Sequence, residues 1–285
     1  MLELTTEENN PKTRGISSKR TEDIVRIINE EDFHAFEAVK ASVKDIAKAA
    51  DICLSGIKKG GRVVYVGAGT SGRIAVQDVV ELDPTYGLDS KTFLYVMAGG
   101  LDALLKSQEG SEDDTQAAVV ALKKIDLNQH DIVVGISASG RTPFVLSALK
   151  YGNGIGSSTI GIVNNPGSVI EKEASHCIFL DTGPEVIQGS TRMKAGTAQK
   201  LALNAMSTTI AVKLGRVYDN MMSYMGVTFN AKLKERAISF LMNEFAVSRD
   251  DAISTLKKSD YKLWTAIDML KAGHSGKGAS KSAEN

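Results

Sequence analysis

Five short apolar runs, each followed by residues with helical spacing, constrain this chain more than anything else in it. The runs are RVVYVGA (62–68), FLYVMAG (93–99), DIVVGIS (131–137), STIGIVN (158–164) and HCIFLDT (176–182). They are rich in Val, Ile, Phe and Tyr and lack strict apolar–polar alternation, as strands covered on both faces do. Helical patterns lie between them at about 71–82, 112–124, 142–151 and 168–174. Strand–helix alternation predicts a parallel sheet with helices on both faces and right-handed crossovers. The expected fold class is α/β: a doubly wound parallel five-stranded sheet, with N-terminal helices before it and a small C-terminal helical bundle after it.

The flanks read differently. Residues 1–18 suggest an extended arm, and 20–30 a short helix with Thr21 as its cap. Val39, Val43, Ile46, Ala50, Cys53 and Ile57 then recur at intervals of 4, 3, 4, 3 and 4, one apolar stripe of a helix that stops at Gly60-Gly61. Residues 190–214 predict a long helix whose middle, AQKLALNAMSTTIAVKLG, is apolar on more than one face. Such a helix lies deep in a fold or at a subunit interface. Three short helical patterns follow in 232–271, with Leu241, Ala252, Leu256, Leu263, Ala266 and Leu270 as core. The end of the chain, AGHSGKGASKSAEN, has the composition of a disordered tail. The expected division is an arm with helices (1–60), a sheet domain (61–220), a helical bundle (221–271) and a tail (272–285).

Charge and cysteine usage exclude several classes. Lys+Arg and Asp+Glu are both 34, so nothing suggests nucleic acid or an anionic membrane as a bulk partner, and any anion must be held by a local device. Cys53 and Cys177 make neither a disulfide framework nor a metal cluster; no metal or cofactor is expected, and a reducing cytoplasm is the simplest setting. The polar, acidic start is no signal peptide, and no apolar stretch approaches a membrane span. His34, His130, His176 and His274 share no motif and are read as structural, and Trp264 and the methionines as core.

Two motifs carry chemistry. GAGTSGR (67–73) follows a strand and opens a helix. Its glycines fit the dinucleotide pattern, but the next strand ends Met97-Ala98-Gly99-Gly100 without the acid that would hold ribose hydroxyls. Thr70 and Ser71 at a helix N-terminus, with free amides and the positive dipole end, suit a phosphate group instead. ISASGRTP (136–143) repeats the context with Ser137, Ser139 and Thr142. Two such loops converge at the carboxyl edge of a parallel sheet.

GAGTSGR and SASGRTP resemble the phosphosugar-binding loops of the sugar isomerase (SIS) domain family. LTTEENNP (4–11), ELDPTYG (81–87), MAGG (97–100), EGSEDD (109–114), NNPGS (164–168) and GPEVIQGSTRMKAGTAQKLALNAMST (183–208) are similar to one branch, the N-acetylmuramic acid 6-phosphate etherases. The likeness extends to about residue 271, where the last helices resemble ubiquitin-associated-like bundles. It implies an SIS fold, a sugar phosphate held by Gly69, Thr70, Ser71, Gly72, Ser137, Ser139, Gly140 and Thr142, and Lys194 approaching its phosphate. It also implies Glu81 and Glu112 as the catalytic pair. The family usually reads ECPPT where this chain has Glu81-Leu82-Asp83-Pro84-Thr85, and Asp83 either repels Glu81 or points away.

The implied reaction needs two carboxylates. The lactyl ether sits beta to the aldehyde of the opened sugar, so its loss requires a base for the proton on carbon 2 and an acid for the leaving oxygen; adding water reverses the roles. A non-catalytic sugar-phosphate-binding regulatory protein, like the related glucokinase regulatory protein branch, is the alternative, and an isomerase of the same fold a third reading. A homodimer is expected as well. Ser71 and Glu81 lie ten residues apart on one predicted helix, roughly 15 Å if it is regular. Either that helix breaks or a second subunit completes the site, with Ala198, Ala202 and Ala205 as the pairing surface.

Overall fold

The computed structural model describes residues 4–222 and 231–279. Three 3-10 turns, Thr5–Glu7, Pro11–Thr13 and Ile16–Ser18, lead into helices α1 (Thr21–Ala41) and α2 (Val43–Lys58). Strand β1 (Val63–Gly67), α3 (Gly69–Tyr86), β2 (Phe93–Met97), α4 (Asp102–Leu105), α5 (Thr115–Lys124) and β3 (Ile132–Ser137) follow. Then come α6 (Pro143–Gly154), β4 (Ser158–Val163), α7 (Val169–Glu173), β5 (His176–Phe179) and α8 (Lys194–Lys213). The last elements are β6 (Val217–Tyr218), β7 (Met221–Met222), α9 (Ala231–Phe245), α10 (Arg249–Lys258) and α11 (Leu263–Ala279).

The five expected strands form one parallel sheet in the order β2-β1-β3-β4-β5. Every residue of β1 and β3 is buried, which is why neither run alternates in sequence. On one face Val64, Val66, Val133 and Val163 pack against Ala118 and Leu122 of α5 and Val145 and Leu149 of α6. On the other face Tyr65 is fully buried and meets the Phe93 ring edge-on at 5.8 Å. Asp78 of α3 lies beside it, its Oδ1 accepting a bond of 3.1 Å from Ser207 of α8. The Tyr65 hydroxyl and Asp78 Oδ2 are near enough to affect each other's ionisation, yet neither makes a well-formed hydrogen bond.

The chain divides into two compact units, one of residues 1–81 and 89–210, the other of 82–88 and 211–285. The first therefore includes the N-terminal helices expected as a separate segment. In the second, Ala237, Ile238, Leu241, Ala252, Leu256, Leu263 and Ala266 form the buried centre of the three-helix bundle, and Leu270 packs against it. The β6–β7 pair has no counterpart in the sequence reading; Tyr218 and both methionines of β7 also pack on this bundle. Among the described residues no helix is long and apolar enough to cross a membrane.

Several expectations are corrected. The arm is pinned rather than simply extended: Thr6 N donates to Asn165 Oδ1 (3.2 Å), Asn165 Nδ2 to Thr6 Oγ1 (2.9 Å) and Thr13 Oγ1 to the Val186 carbonyl (2.9 Å). The first helix runs on to Ala41, and Arg20 rather than Thr21 precedes it, without a side-chain cap. Its length is hidden in sequence because its buried residues are Glu31, Ala35 and Ala38, whereas Val25, Phe33 and Phe36 point outward. The tail expected from 272 is helical to Ala279; the rest of it and the His274 side chain lie outside the described residues. Helix α3 does not break before Glu81. Ala198 and Ala202 are fully buried within the subunit, alongside Leu203, Met206 and Ile210, so only Ala205 of the three small residues faces outward.

Candidate active site

Strand order reverses between β1 and β3, so the crevice beyond their carboxyl ends is the switch point at which such sheets bind ligands. Gly67 and Ile136 are register partners, which sets the two motif loops side by side.

The second loop is built around Ser137, which is 2% exposed. Its Oγ accepts from Gly140 N (3.1 Å) and lies 2.7 Å from Thr142 Oγ1 and 3.3 Å from Ser139 Oγ. Ser139 Oγ in turn accepts from Arg141 N at 3.2 Å. Thr142 precedes α6 without capping it by its side chain, and Pro143 occupies the first helical position. The orphan amides of that first turn are thus left for an anion. Gly140 is obligatory: its φ is +65°, and a Cβ there would lie 2.4 Å from Ser168 Cβ.

In the first loop Gly67 and Gly72 touch. A Cβ on Gly72 would meet the Gly67 carbonyl oxygen at 2.8 Å and Met97 Cγ at 2.9 Å. Ser71 is nearly buried, and a directed chain of hydrogen bonds starts from it. Ser71 Oγ donates to Gln199 Oε1 (2.8 Å), Gln199 Nε2 to Asn164 Oδ1 (2.9 Å), and Asn164 Nδ2 to the Leu180 carbonyl (3.0 Å). A backbone carbonyl can only accept, so it fixes the sense of every bond in the chain. The Ser71 proton is therefore committed inward, and only its lone pairs face the crevice. The next residue, Asn165, steadies the second loop by donating to the Ala138 carbonyl at 2.8 Å.

A cleft of about 260 Å³ opens beside the first loop, lined by Gly69, Arg73, Met97, Ala98, Glu109 and Glu112 among others. Glu112 sits on a 3-10 turn, Ser111–Asp113, and is exposed. The turn leads directly into the cap of α5, Asp114, whose carboxylate accepts from Gln116 N (3.0 Å) and Ala117 N (2.8 Å). The Ser111 hydroxyl donates back to the Gln108 carbonyl at 2.8 Å. Glu81 is exposed on α3 and does not line this cleft. Neither does Lys194. That side chain is 1% exposed, and its Nζ contacts Glu31 Oε2 at 2.7 Å within a second cavity of about 410 Å³ that also includes Asn10, His34 and Thr182. Burial pushes the Glu31 carboxyl up, but bonds from Lys194 and Asn10 outweigh it and hold it below the usual carboxylate range. Lys194 N and Ala195 N donate to the Glu185 carboxylate at 3.0 and 2.9 Å, which caps α8, and Gly196 lets that first turn approach Thr70 closely.

The match to known proteins covers nearly all of this architecture. Family models for the glucokinase regulatory protein N-terminal SIS domain and for the SIS domain match residues 45–153 and 108–208. An N-acetylmuramic acid 6-phosphate etherase of Bacillus subtilis (strain 168) is 45% identical over 268 residues, 94% of this chain and 88% of that one. Its counterpart from Lactobacillus johnsonii is 46% identical over 271 residues, 95% and 91% of the two chains. This chain belongs to the N-acetylmuramic acid 6-phosphate etherase family. Among solved structures, an E. coli CFT073 protein in complex with a ligand aligns with a TM-score of 0.53 at 17% identity over 71% of this chain and 97% of that one. Phosphoheptose isomerase from Neisseria gonorrhoeae aligns at 0.50 and 20% identity over 67% and 98%. At such identities the likeness speaks for the fold alone.

For this etherase family member, the structure joins Gly69 and Glu112 in one cleft and sets the Ser137, Ser139, Gly140 and Thr142 loop beside Thr70, Ser71 and Gly72. It leaves Glu81 and Lys194 outside that cleft. Sequence reasoning missed Gln199, Asn164 and Glu31, all buried polar residues, and Arg73 and Glu109 on the cleft wall. Arg73, Glu109, Asn164 and Gln199 stood inside the motif and family blocks, where a polar residue at an otherwise apolar helical position such as 199 was the available signal.

Proposed function

We propose that this protein cleaves the D-lactyl ether of N-acetylmuramic acid 6-phosphate by elimination and hydration, giving N-acetylglucosamine 6-phosphate and D-lactate. It is thus a carbon–oxygen lyase, and its two free thiols, Cys53 buried and Cys177 half-buried, suit a cytoplasmic setting. The observation that carries the mechanism is the cleft in which the Glu112 turn meets the Gly69 end of the first loop. The hydroxyl-rich second loop and the α6 N-terminus hold the phosphate, and the first loop holds the sugar beside it. Glu112 removes the proton from carbon 2, and Glu81 protonates the departing ether oxygen; water then adds to carbon 3 with the roles reversed.

Because α3 is helical from Gly69 to Tyr86, Ser71 and Glu81 are roughly 15 Å apart along it, too far for one sugar phosphate to bridge. Glu81 therefore acts on a site whose loops belong to a second copy, which requires a homodimer. The outer face of α1 suits that pairing. Phe33 and Phe36 are exposed with ring centroids 6.4 Å apart, and Val25 extends the stripe towards the start of the helix.

The match of residues 45–153 to the glucokinase regulatory protein domain supports one rival, a sugar-phosphate sensor without catalysis. Incubation with N-acetylmuramic acid 6-phosphate and enzymatic assay of D-lactate separates the two. Binding of the sugar phosphate without lactate release favours the sensor.

A further inference from the structure

We propose that Arg73 binds the carboxylate of the lactyl group and makes the site selective for the ether-bearing sugar over the sugar that has lost it. The inference rests on the function proposed above. That substrate carries two anions, a phosphate at one end and a carboxylate on the ether side chain. The second loop offers the phosphate hydroxyls and helix amides, and the carboxylate needs a cation of its own. Among the described residues, Arg73 is the one cation on the wall of the cleft that holds Gly69 and Glu112.

The geometry suits that task. Arg73 lies four residues after Gly69 on α3, so the two are neighbours on one helix face, within the span of a single sugar. Its Nε makes one long bond, 3.4 Å, to the Leu104 carbonyl. Among the described residues it joins no ion pair, although Glu109 and Glu112 line the same cleft. Guanidinium carries five donors in a planar fork that matches a carboxylate in two parallel bonds, so most of its donor capacity is left for a ligand. The ether oxygen is two bonds from the carboxylate carbon. Holding the carboxylate at Arg73 therefore also holds the breaking bond at the wall that carries Glu112. The product sugar has no such carboxylate and makes no use of Arg73, whereas released lactate keeps the group.

Selectivity provides the test. In the full-length protein, Arg73→Met should lower kcat/KM for N-acetylmuramic acid 6-phosphate by about 10- to 100-fold, the scale of a lost charge-assisted pair. The inhibition constant of N-acetylglucosamine 6-phosphate should stay within about twofold of the parent value, and inhibition by D-lactate should weaken. Arg73→Lys keeps the charge without the fork and should show the same pattern at smaller amplitude; it carries the test if the Met variant does not fold, as thermal melting will show. Equal losses for both sugars would assign Arg73 to the phosphate or the fold, and unchanged selectivity in both variants would remove it from the site; either overturns the proposal. A parent protein that binds N-acetylglucosamine 6-phosphate but releases no lactate overturns the functional reading itself, and this proposal with it.

Discussion

Asp78 and Ser71 sit on the same helix and illustrate opposite uses of a buried polar side chain. Burial raises the Asp78 carboxyl from its ordinary 3.8 to about 6, against a hydrogen bond from Ser207 that lowers it. Between about pH 4 and 6 the folded protein holds a proton that the unfolded chain has released. Stability from this group is thus greatest at low pH and is lost as pH rises through that window, by at most about 3 kcal/mol. Asp78→Asn should melt at a higher temperature than the parent at pH 8, with the difference shrinking towards pH 4.5. Melting curves with the same pH slope in both proteins would contradict the assignment. For Ser71, the committed proton makes Gln199 its partner in positioning the loop. Ser71→Ala and Gln199→Met should each weaken binding of N-acetylglucosamine 6-phosphate by about 0.5–1.5 kcal/mol, and the double variant should be no worse than the weaker-binding single one. Calorimetric titration of the four proteins measures this, and simple additivity would break the relay. Ser139→Ala, in the loop assigned to the phosphate, should cost more, about 1–3 kcal/mol.

Strands are more legible in this sequence than helices. The five apolar runs contain the five strands, and in β1 and β3 burial of every residue removes the alternation with polar residues, whereas the edge strands β2 and β5 are only partly buried. Helix α1 reads in sequence as ending near residue 30 because its inward side is Glu31, Ala35 and Ala38, which form no apolar stripe. The motif loops are legible since each is local, a strand end and the turn after it. The relay behind them is not: Ser71 and Gln199 are separated by 128 positions, and only the fold brings them together. The packing of α3 on β1 is the element most exposed to a single change. Gly72→Ala puts a methyl group 2.8 Å from the Gly67 oxygen, so the strand and helix must separate. It should lower the melting temperature and cut lactate release together, since the same contact shapes the first loop. A Gly72→Ala protein with parental melting and turnover would show that the loop can relax.

At the scale of the molecule the question is which chains make one site. Glu81→Gln alone should nearly abolish lactate release, by about 10²- to 10⁴-fold. Mixed with an inactive Ser137→Ala/Ser139→Ala partner under conditions of subunit exchange, it should regain activity, because a mixed dimer holds one intact pair of Glu81 and loops. No recovery despite proven exchange would place Glu81 in its own subunit's site. Phe33→Ser with Phe36→Ser should shift the protein to monomer in analytical ultracentrifugation and lose turnover with it; an active monomer would end the two-chain reading.

Thr6 and Asn165 are tied to each other across 159 positions of sequence, and Asn165 holds the Ala138 carbonyl of the second loop. On a ribosome the arm emerges first and its partner much later. At about 5–20 residues per second the wait is on the order of 8–30 s. The phosphate loop can reach its final shape only after β4 has been made and the start of the chain has been recaptured. Completion of the site is therefore a late, long-range closure rather than a local event. Until then the nascent chain has a sheet but no finished seat for its ligand, and an amino-terminal extension that delayed recapture would slow the appearance of activity without altering the final fold.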